Sequence, residues 1–186
     1  TYNPKGEPLK DVRVRLALNY AVDRAGMCEQ IFEGRCTPMA GQYLVNTQFG
    51  YNPNLEMYPY DPEKAKELLA EAGYSNGFEV DHTYTVGRYP LDKQAGEAIS
   101  SYLRAVGLTV NEMAVDYPEW ARQFEATQST ALYTVGFNFG QEGLLCLNSY
   151  LPGVRFRTSE VPSAFDVAVT DAGKTLDQAE RIKLMQ

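Results

Sequence analysis

The chain has 186 residues, of which 44% are hydrophobic and 12% aromatic, and its 17 basic and 24 acidic side chains give a net charge of −7. This composition predicts one folded domain or lobe and excludes disordered, collagen-like and low-complexity architectures. The acidic balance, without a basic patch, argues against nucleic-acid binding, and the apolar runs are far shorter than the roughly 20 residues that a membrane-spanning helix needs.

The first part of the chain is predicted to contain two helices joined by a long loop. Residues 11–32 carry apolar side chains three and four positions apart, which predicts one amphipathic helix. Residues 36–60 are rich in Pro, Gly, Asn and Tyr and have no sustained period, which predicts an irregular connection. Asp61, Pro62 and Gly73 then supply the N-cap, the first-turn proline and the C-terminal glycine of a second helix.

The rest of the chain alternates predicted strands and helices. Apolar and polar side chains alternate over 78–86, which is the period of a strand, whereas 92–106 has the stripe of a helix. This order predicts an α/β fold with a mostly parallel sheet flanked by helices. The remaining predicted elements are strands at 108–115 and 131–138, short helices from 116 and at 142–150, and two helical segments after 162, the second opened by a capping box at 175–178.

No set of side chains is predicted to form a catalytic or metal site. His82 is the only histidine that could serve as a general base, and its position on an apolar strand face favours a buried structural role over a catalytic one. Cys28, Cys36 and Cys146 indicate neither a zinc site nor a disulfide framework, although a Cys28–Cys36 bridge remains open. The carboxylates within 61–71 are predicted to form a solvated helix face rather than a glycosidase pair. No nucleotide-binding glycine motif occurs, and no metal or cofactor is predicted.

Two loops are predicted at the carboxyl ends of strands, where open parallel sheets bind ligands. In the first loop the guanidinium of Arg88 can hold a carboxylate or a phosphate, and Tyr89 can stack or hydrogen-bond. The second loop combines aromatic rings with amides, which suits a small polar ligand with an apolar part. A surface arginine in a turn and core packing of Phe137 are the alternatives. The predicted ligand-binding residues are Arg88, Tyr89, Phe137, Asn138, Phe139, Gly140 and Gln141.

Three segments carry a family pattern in combination. They are PLKDVRVRLALNYAVDR at 8–24, YDPEKAKELLAEAGY at 60–74, and the strand, helix and glycine pattern that runs through 115. They resemble the family 5 extracellular solute-binding proteins, which capture peptides, nickel or oligosaccharides for bacterial ABC importers. Residues 175–181 are similar to that family's late D-x-x-x-R helix. The resemblance extends over nearly the whole chain.

The resemblance implies a periplasmic-binding-protein-like lobe, with 1–186 as most of the second ligand-binding lobe of a larger two-lobed protein. It implies that the lobes close on a small-molecule or peptide ligand and that the full-length protein delivers it to an ABC permease of the inner membrane, without catalysis. The location implied is periplasmic or extracellular, with a membrane anchor in Gram-positive bacteria. The alternative is the sensor lobe of a transcription regulator, because similar lobes occur fused to DNA-binding domains.

The resemblance also bears on the ligand. Dipeptide-binding members place an arginine at the position of Arg88 against the ligand's carboxylate. Their aspartate for the peptide's free amine is absent here, with Gly140 or a neighbour in its place. Unless Glu142 or the other lobe compensates, the implied ligand is a modified peptide, an opine-like amino-acid conjugate, a sugar or another small polar molecule, since a buried ammonium needs a charge partner.

Overall fold

The computed structural model describes residues 4–42, 44–125, 132–136, 144, 147 and 163–186. These residues fall into two compact units. The first comprises Thr1–Pro38 with Tyr58–Gly136, and the second comprises Met39–Met57 with Phe137–Gln186. The predicted α/β class is confirmed in the first unit, where helices flank a parallel sheet.

The first unit begins with a 3₁₀ helix, Pro4–Lys10, followed by helices α1, Val12–Ala21, and α2, Arg24–Gln30. The prediction of one continuous helix over 11–32 is therefore wrong at its centre. Val22 has an extended backbone (φ −103°, ψ 117°), and the Asp23 carboxylate accepts the N–H of Gly26 at 2.8 Å as the cap of α2. The side chain of an aspartate can replace helical backbone hydrogen bonds in this way. The apolar pattern continues across the break and therefore does not indicate it.

The predicted helix after Asp61 is confirmed as α3, Pro62–Glu71. The Asp61 carboxylate accepts the N–H of Lys64 at 2.9 Å, which satisfies one of the unpaired donors of the first turn. The described part of 36–60 contains no helix, as predicted. The acidic face of α3 is solvated and its exposed ion pairs are Lys64–Glu67 at 3.1 Å and Lys66–Glu63 at 2.8 Å.

Three parallel strands form the sheet in the order β2-β1-β3, with β1 at Glu79–Thr85, β2 at Thr109–Val115 and β3 at Leu132–Thr134. Helix α4, Asp92–Ala105, connects β1 to β2, and helix α5, Tyr117–Glu125, follows β2. The strands and helices predicted in this region are confirmed within a few residues. The ends of the third predicted strand, at 131 and 137–138, lie outside the described residues.

The central strand β1 is buried on both faces. Val80, His82 and Tyr84 face α4, and the alternate side chains Thr83 and Thr85 are 0% exposed. The closest approach of α4 is at Gly96, where an added Cβ would overlap the ring of Tyr84. The hydrophobic core is formed by side chains of α1, α3, α4 and the strands. Its members include Val14, Ala17, Ala21, Leu68, Leu69, Val80, Leu103 and Val110.

The second unit contains α6, Ser163–Lys174, and α7, Gln178–Met185. The cap of α7 is Asp177, which accepts the N–H of Glu180 at 2.8 Å, so the capping box predicted at 175–178 lies two residues too early. Of the helix predicted at 142–150, only Leu144 and Leu147 are described, and both are helical. A small core is built on Leu144, Val169 and Ala172.

Cys28 and Cys36 form a disulfide. This pairing is the alternative that the sequence leaves open, although the odd count and irregular spacing of the cysteines do not indicate a disulfide framework. The bridge forms because Cys28 lies at the end of α2 and the chain turns back there, so that the two Cα atoms are 5.6 Å apart. Cys146 lies outside the described residues.

Candidate functional site

One carboxylate holds the loop that follows β1. Asp92, at the start of α4, accepts the backbone N–H groups of Gly87, Arg88 and Tyr89 at 3.0, 3.0 and 3.1 Å, and that of Lys93 at 2.9 Å. Burial raises the pKa of Asp92, but the four N–H bonds outweigh it and hold this pKa below its ordinary value. Gly87 has a φ of +76°, which lets the chain turn directly after the strand. The backbone that carries Arg88 is therefore fixed.

The side chain of Arg88 lies over an aromatic ring. Its guanidinium carbon is 4.8 Å from the ring centroid of Tyr117, the first residue of α5, and 5.9 Å from that of Tyr89. The Tyr117 ring stacks in turn on Trp120, with centroids 5.8 Å apart and planes inclined by 17°. Arg88 is exposed and forms no ion pair within the described part of the chain. Its planar set of donors is therefore available to an anion.

The segment after β3 begins beside this loop. A Cβ added at Gly136 would lie 2.7 Å from the ring of Tyr89, so the backbone at Gly136 touches that ring. The structure thus brings Arg88 and Tyr89 to the carboxyl edge of the sheet, next to the start of the second predicted loop. The members of that loop, Phe137, Asn138, Phe139, Gly140 and Gln141, lie outside the described residues.

The same unit contains a second concave feature, a cavity of about 370 Å³ beside β3. Its walls come from α1, α2, β1, α4 and β3 and from the segment that follows α2, and they share no residue with the Arg88 loop. The sequence does not predict this cavity, because elements far apart in the chain form it. Its polar lining includes Asn19, Arg24, His82 and Thr134.

His82 lines the cavity and is 1% exposed. Its Nδ1 lies 2.8 Å from Oγ of Ser100 and its Nε2 lies 2.8 Å from Oγ1 of Thr134, so both ring nitrogens have hydroxyl partners. Burial lowers the pKa of His82 to about 4; Glu112 opposes the shift and Arg104 adds to it. The ring is therefore neutral near pH 7, and the prediction of a buried structural histidine is confirmed.

Arg24 also lines the cavity. Its Nη1 donates to the backbone oxygen of Asn19 at 2.9 Å and its Nη2 donates to Oδ1 of the same residue at 2.7 Å. Burial lowers the pKa of Arg24, against a smaller opposing effect of Tyr58. No carboxylate pairs with this guanidinium in the described ranges.

The described residues contain no group of three or more His, Cys, Asp or Glu side chains placed to hold a metal ion. None of their helices is long and apolar enough to cross a membrane.

Comparison with known proteins adds the family. The family model described as "Bacterial extracellular solute-binding proteins, family 5 Middle" matches residues 1–141. Heme-binding protein A of Haemophilus influenzae is 34% identical over 194 residues, which cover 98% of this chain and 35% of that protein. The dipeptide-binding protein of Escherichia coli is 33% identical over 126 residues, which cover 66% of this chain and 23% of that protein. The chain thus spans about a third or less of the length of these relatives.

Solved structures show the same fold. HbpA2 from Haemophilus parasuis superposes with a TM-score of 0.86 at 25% identity, over 96% of this chain and 36% of that one. AgaA from A. tumefaciens R10, a periplasmic binding protein in complex with agropinic acid, superposes with a TM-score of 0.85 at 28% identity, over 100% of this chain and 39% of that one. The predicted periplasmic-binding-protein-like fold is confirmed.

Proposed function

The chain belongs to the bacterial extracellular solute-binding proteins of family 5, and we propose that it forms the carboxylate-binding part of the ligand site of an ABC-transporter substrate-binding protein. The observation that carries this proposal is Arg88, an exposed arginine without an ion-pair partner among the described residues, on a loop that Asp92 fixes at the carboxyl edge of the sheet. Nothing in the comparisons supports the alternative of a transcription regulator.

The geometry favours an anionic ligand. Tyr117 stacks on one side of the Arg88 guanidinium, while the N–H edge of the guanidinium stays available for two parallel bonds to a carboxylate. Relatives are named for dipeptides, glutathione and heme, and one structural neighbour holds agropinic acid. All four kinds of molecule carry carboxylate groups. We propose a ligand of this class, with Tyr89 and residues 137–141 completing this side of the site.

The rest of the proposal concerns the whole protein. Residues 1–186 form one lobe, which closes with a second lobe on the ligand, and the protein passes the ligand to an ABC permease. Binding is reversible and no bond is made or broken, so the protein is not an enzyme. It works in the periplasm or outside the cell. The Cys28–Cys36 bridge supports this location, because disulfides persist mainly in oxidising compartments.

The experiment is a thermal-shift screen of the full chain against dipeptides, glutathione, heme and agropinic acid, each at several concentrations. A ligand that binds the native state raises the melting temperature by mass action. We expect at least one acid to raise it, and Arg88→Ala to remove the increase. Arg35→Ala is the matched control, because the Arg35 side chain is 82% exposed and pairs with Glu33, two residues away, at 3.2 Å. A ligand that shifts wild type and Arg88→Ala equally would refute the assignment of Arg88.

A further inference from the structure

The cavity beside β3 has the size and the lining of a small-molecule site. Its volume of about 370 Å³ lies within the range of about 300–1,000 Å³ that is typical of ligand pockets. Most of its wall is apolar, and a few polar groups converge on it, which is the usual composition of such pockets. Its apolar side chains include Leu18, Met27, Phe32, Ile99, Leu103 and Leu132.

The charge of Arg24 is only partly compensated. Its two hydrogen bonds go to one neutral residue, Asn19, and they use two of the five N–H donors of the guanidinium. Arg24 is half-buried, and no Asp or Glu of the described residues forms an ion pair with it. A cation that has lost part of its water and has no anionic partner is stabilised when an anion binds it.

From this juxtaposition we infer that the cavity is a second ligand-binding site, for a molecule with one carboxylate and an apolar body. Arg24 binds the carboxylate, and the apolar side chains cover the body. A single arginine beside an apolar wall fits a monoanion better than a phosphate, whose higher charge requires more donors. The site does not use Arg88 or Tyr89, so this inference does not depend on the proposed function.

The wall next to Arg24 is rigid. Cys28 and Cys36 both line the cavity, and their disulfide ties the end of α2 to the segment that follows it. Elsewhere in the lining, His82 of β1 lies between Ser100 of α4 and Thr134 of β3, and its two ring nitrogens link these elements. A preformed wall reduces the ordering cost of binding.

The test is a calorimetric titration of the full chain with 4-phenylbutyrate, and in parallel with 4-phenylbutanamide, which has the same body but no charge. We expect the acid to bind at least tenfold more tightly than the amide. Arg24→Gln is expected to weaken binding of the acid at least tenfold and to leave binding of the amide within a factor of two. Arg35→Gln, an exposed arginine outside the cavity wall, is the matched control and is expected to leave both affinities unchanged.

A second variant covers the case in which Arg24→Gln does not fold. Ile99→Phe adds volume to the wall and leaves Arg24 in place, and it is expected to weaken binding of the acid at least tenfold. The inference is overturned if the wild type binds neither compound up to millimolar concentration, as would follow if another part of the protein fills the cavity. It is also overturned if acid and amide bind equally, or if the acid binds folded Arg24→Gln or Ile99→Phe as tightly as the wild type.

Discussion

The carboxylate of Asp92 is expected to determine both the stability of the β1–α4 loop and the position of Arg88. Its Oδ1 accepts the N–H groups of Gly87 and Lys93, and its Oδ2 accepts those of Arg88 and Tyr89. In Asp92→Asn, either orientation of the amide turns an NH₂ group toward two backbone donors. The substitution therefore loses two bonds and adds a donor–donor contact, although it conserves the shape of the side chain.

We expect Asp92→Asn and Asp92→Ala each to lower the free energy of unfolding by about 1–2 kcal/mol, the range for losing a helix-capping carboxylate with charge-assisted bonds. The effect depends on pH in a defined direction. The folded-state pKa of Asp92 is below the ordinary 3.8, so the ionised carboxylate stabilises the fold fully at neutral pH. This stabilisation is lost as the pH falls through the folded-state pKa, and the difference between wild type and Asp92→Asn should shrink there.

Urea unfolding of both variants at pH 7 measures this effect, with Asp171→Asn as the matched control. Asp171 is on the surface of α6, 4.0 Å from Nζ of Lys174, with a side chain that is 52% exposed, and its substitution should change the stability by less than about 0.5 kcal/mol. If Asp92→Asn is as stable as the wild type at pH 7, the carboxylate does not hold the loop. Arg88 would then not be preorganised for a ligand by this carboxylate.

Three other predictions concern the first unit. Gly96→Ala should lower the free energy of unfolding by about 1–3 kcal/mol, because the new methyl overlaps the ring of Tyr84. If urea titration instead shows the free energy of unfolding raised by about 0.5–1 kcal/mol, the usual gain for glycine to alanine in a helix, this packing is contradicted. The stability should fall by about 2 kcal/mol from pH 7 to pH 5, because His82 has a pKa of about 4 when folded and 6.5 when unfolded; a flat profile in denaturant titrations would show that the ring is not buried. The double variant Cys28→Ser/Cys36→Ser should have a free energy of unfolding about 2–3 kcal/mol lower than the wild type, as expected for a bridge between residues eight apart. Equal melting temperatures of variant and wild type would refute the bridge.

The sequence predicts a helix or strand correctly where the residues that start and end it lie within the same segment. The signals of α3 are complete within the segment itself, from the Asp61 cap to Gly73, and its prediction is confirmed. The break between α1 and α2 is missed because Asp23 caps a new helix there while the apolar pattern continues unchanged. The alternation over β1 predicts one buried face, but Thr83 and Thr85 are also buried, because elements distant in sequence pack on both sides of a central strand.

The candidate site could be predicted only in part for the same reason. The position of Arg88 at the end of a strand makes it a candidate, because parallel strands place their carboxyl ends at one edge, but it leaves a surface arginine in a turn as an alternative, and the family resemblance is what favours a binding role. Its partners Asp92 and Tyr117 are not predicted, since their roles depend on how α4 and α5 return to the sheet. The cavity at Arg24 depends on five helices and strands at once, and no sequence motif marks it.

The role of Arg88 in binding the ligand's carboxylate is tested by comparing a carboxylate ligand with its uncharged amide in wild type and in Arg88→Gln. The ligand is the acid that gives the largest thermal shift, and the affinities of all four combinations come from calorimetry. Charge-assisted pairs to arginine contribute about 1.5–3 kcal/mol, so the wild type should prefer the acid by roughly tenfold to a hundredfold. Arg88→Gln should abolish that preference. An equal preference for the acid in both proteins would show that Arg88 does not bind the carboxylate.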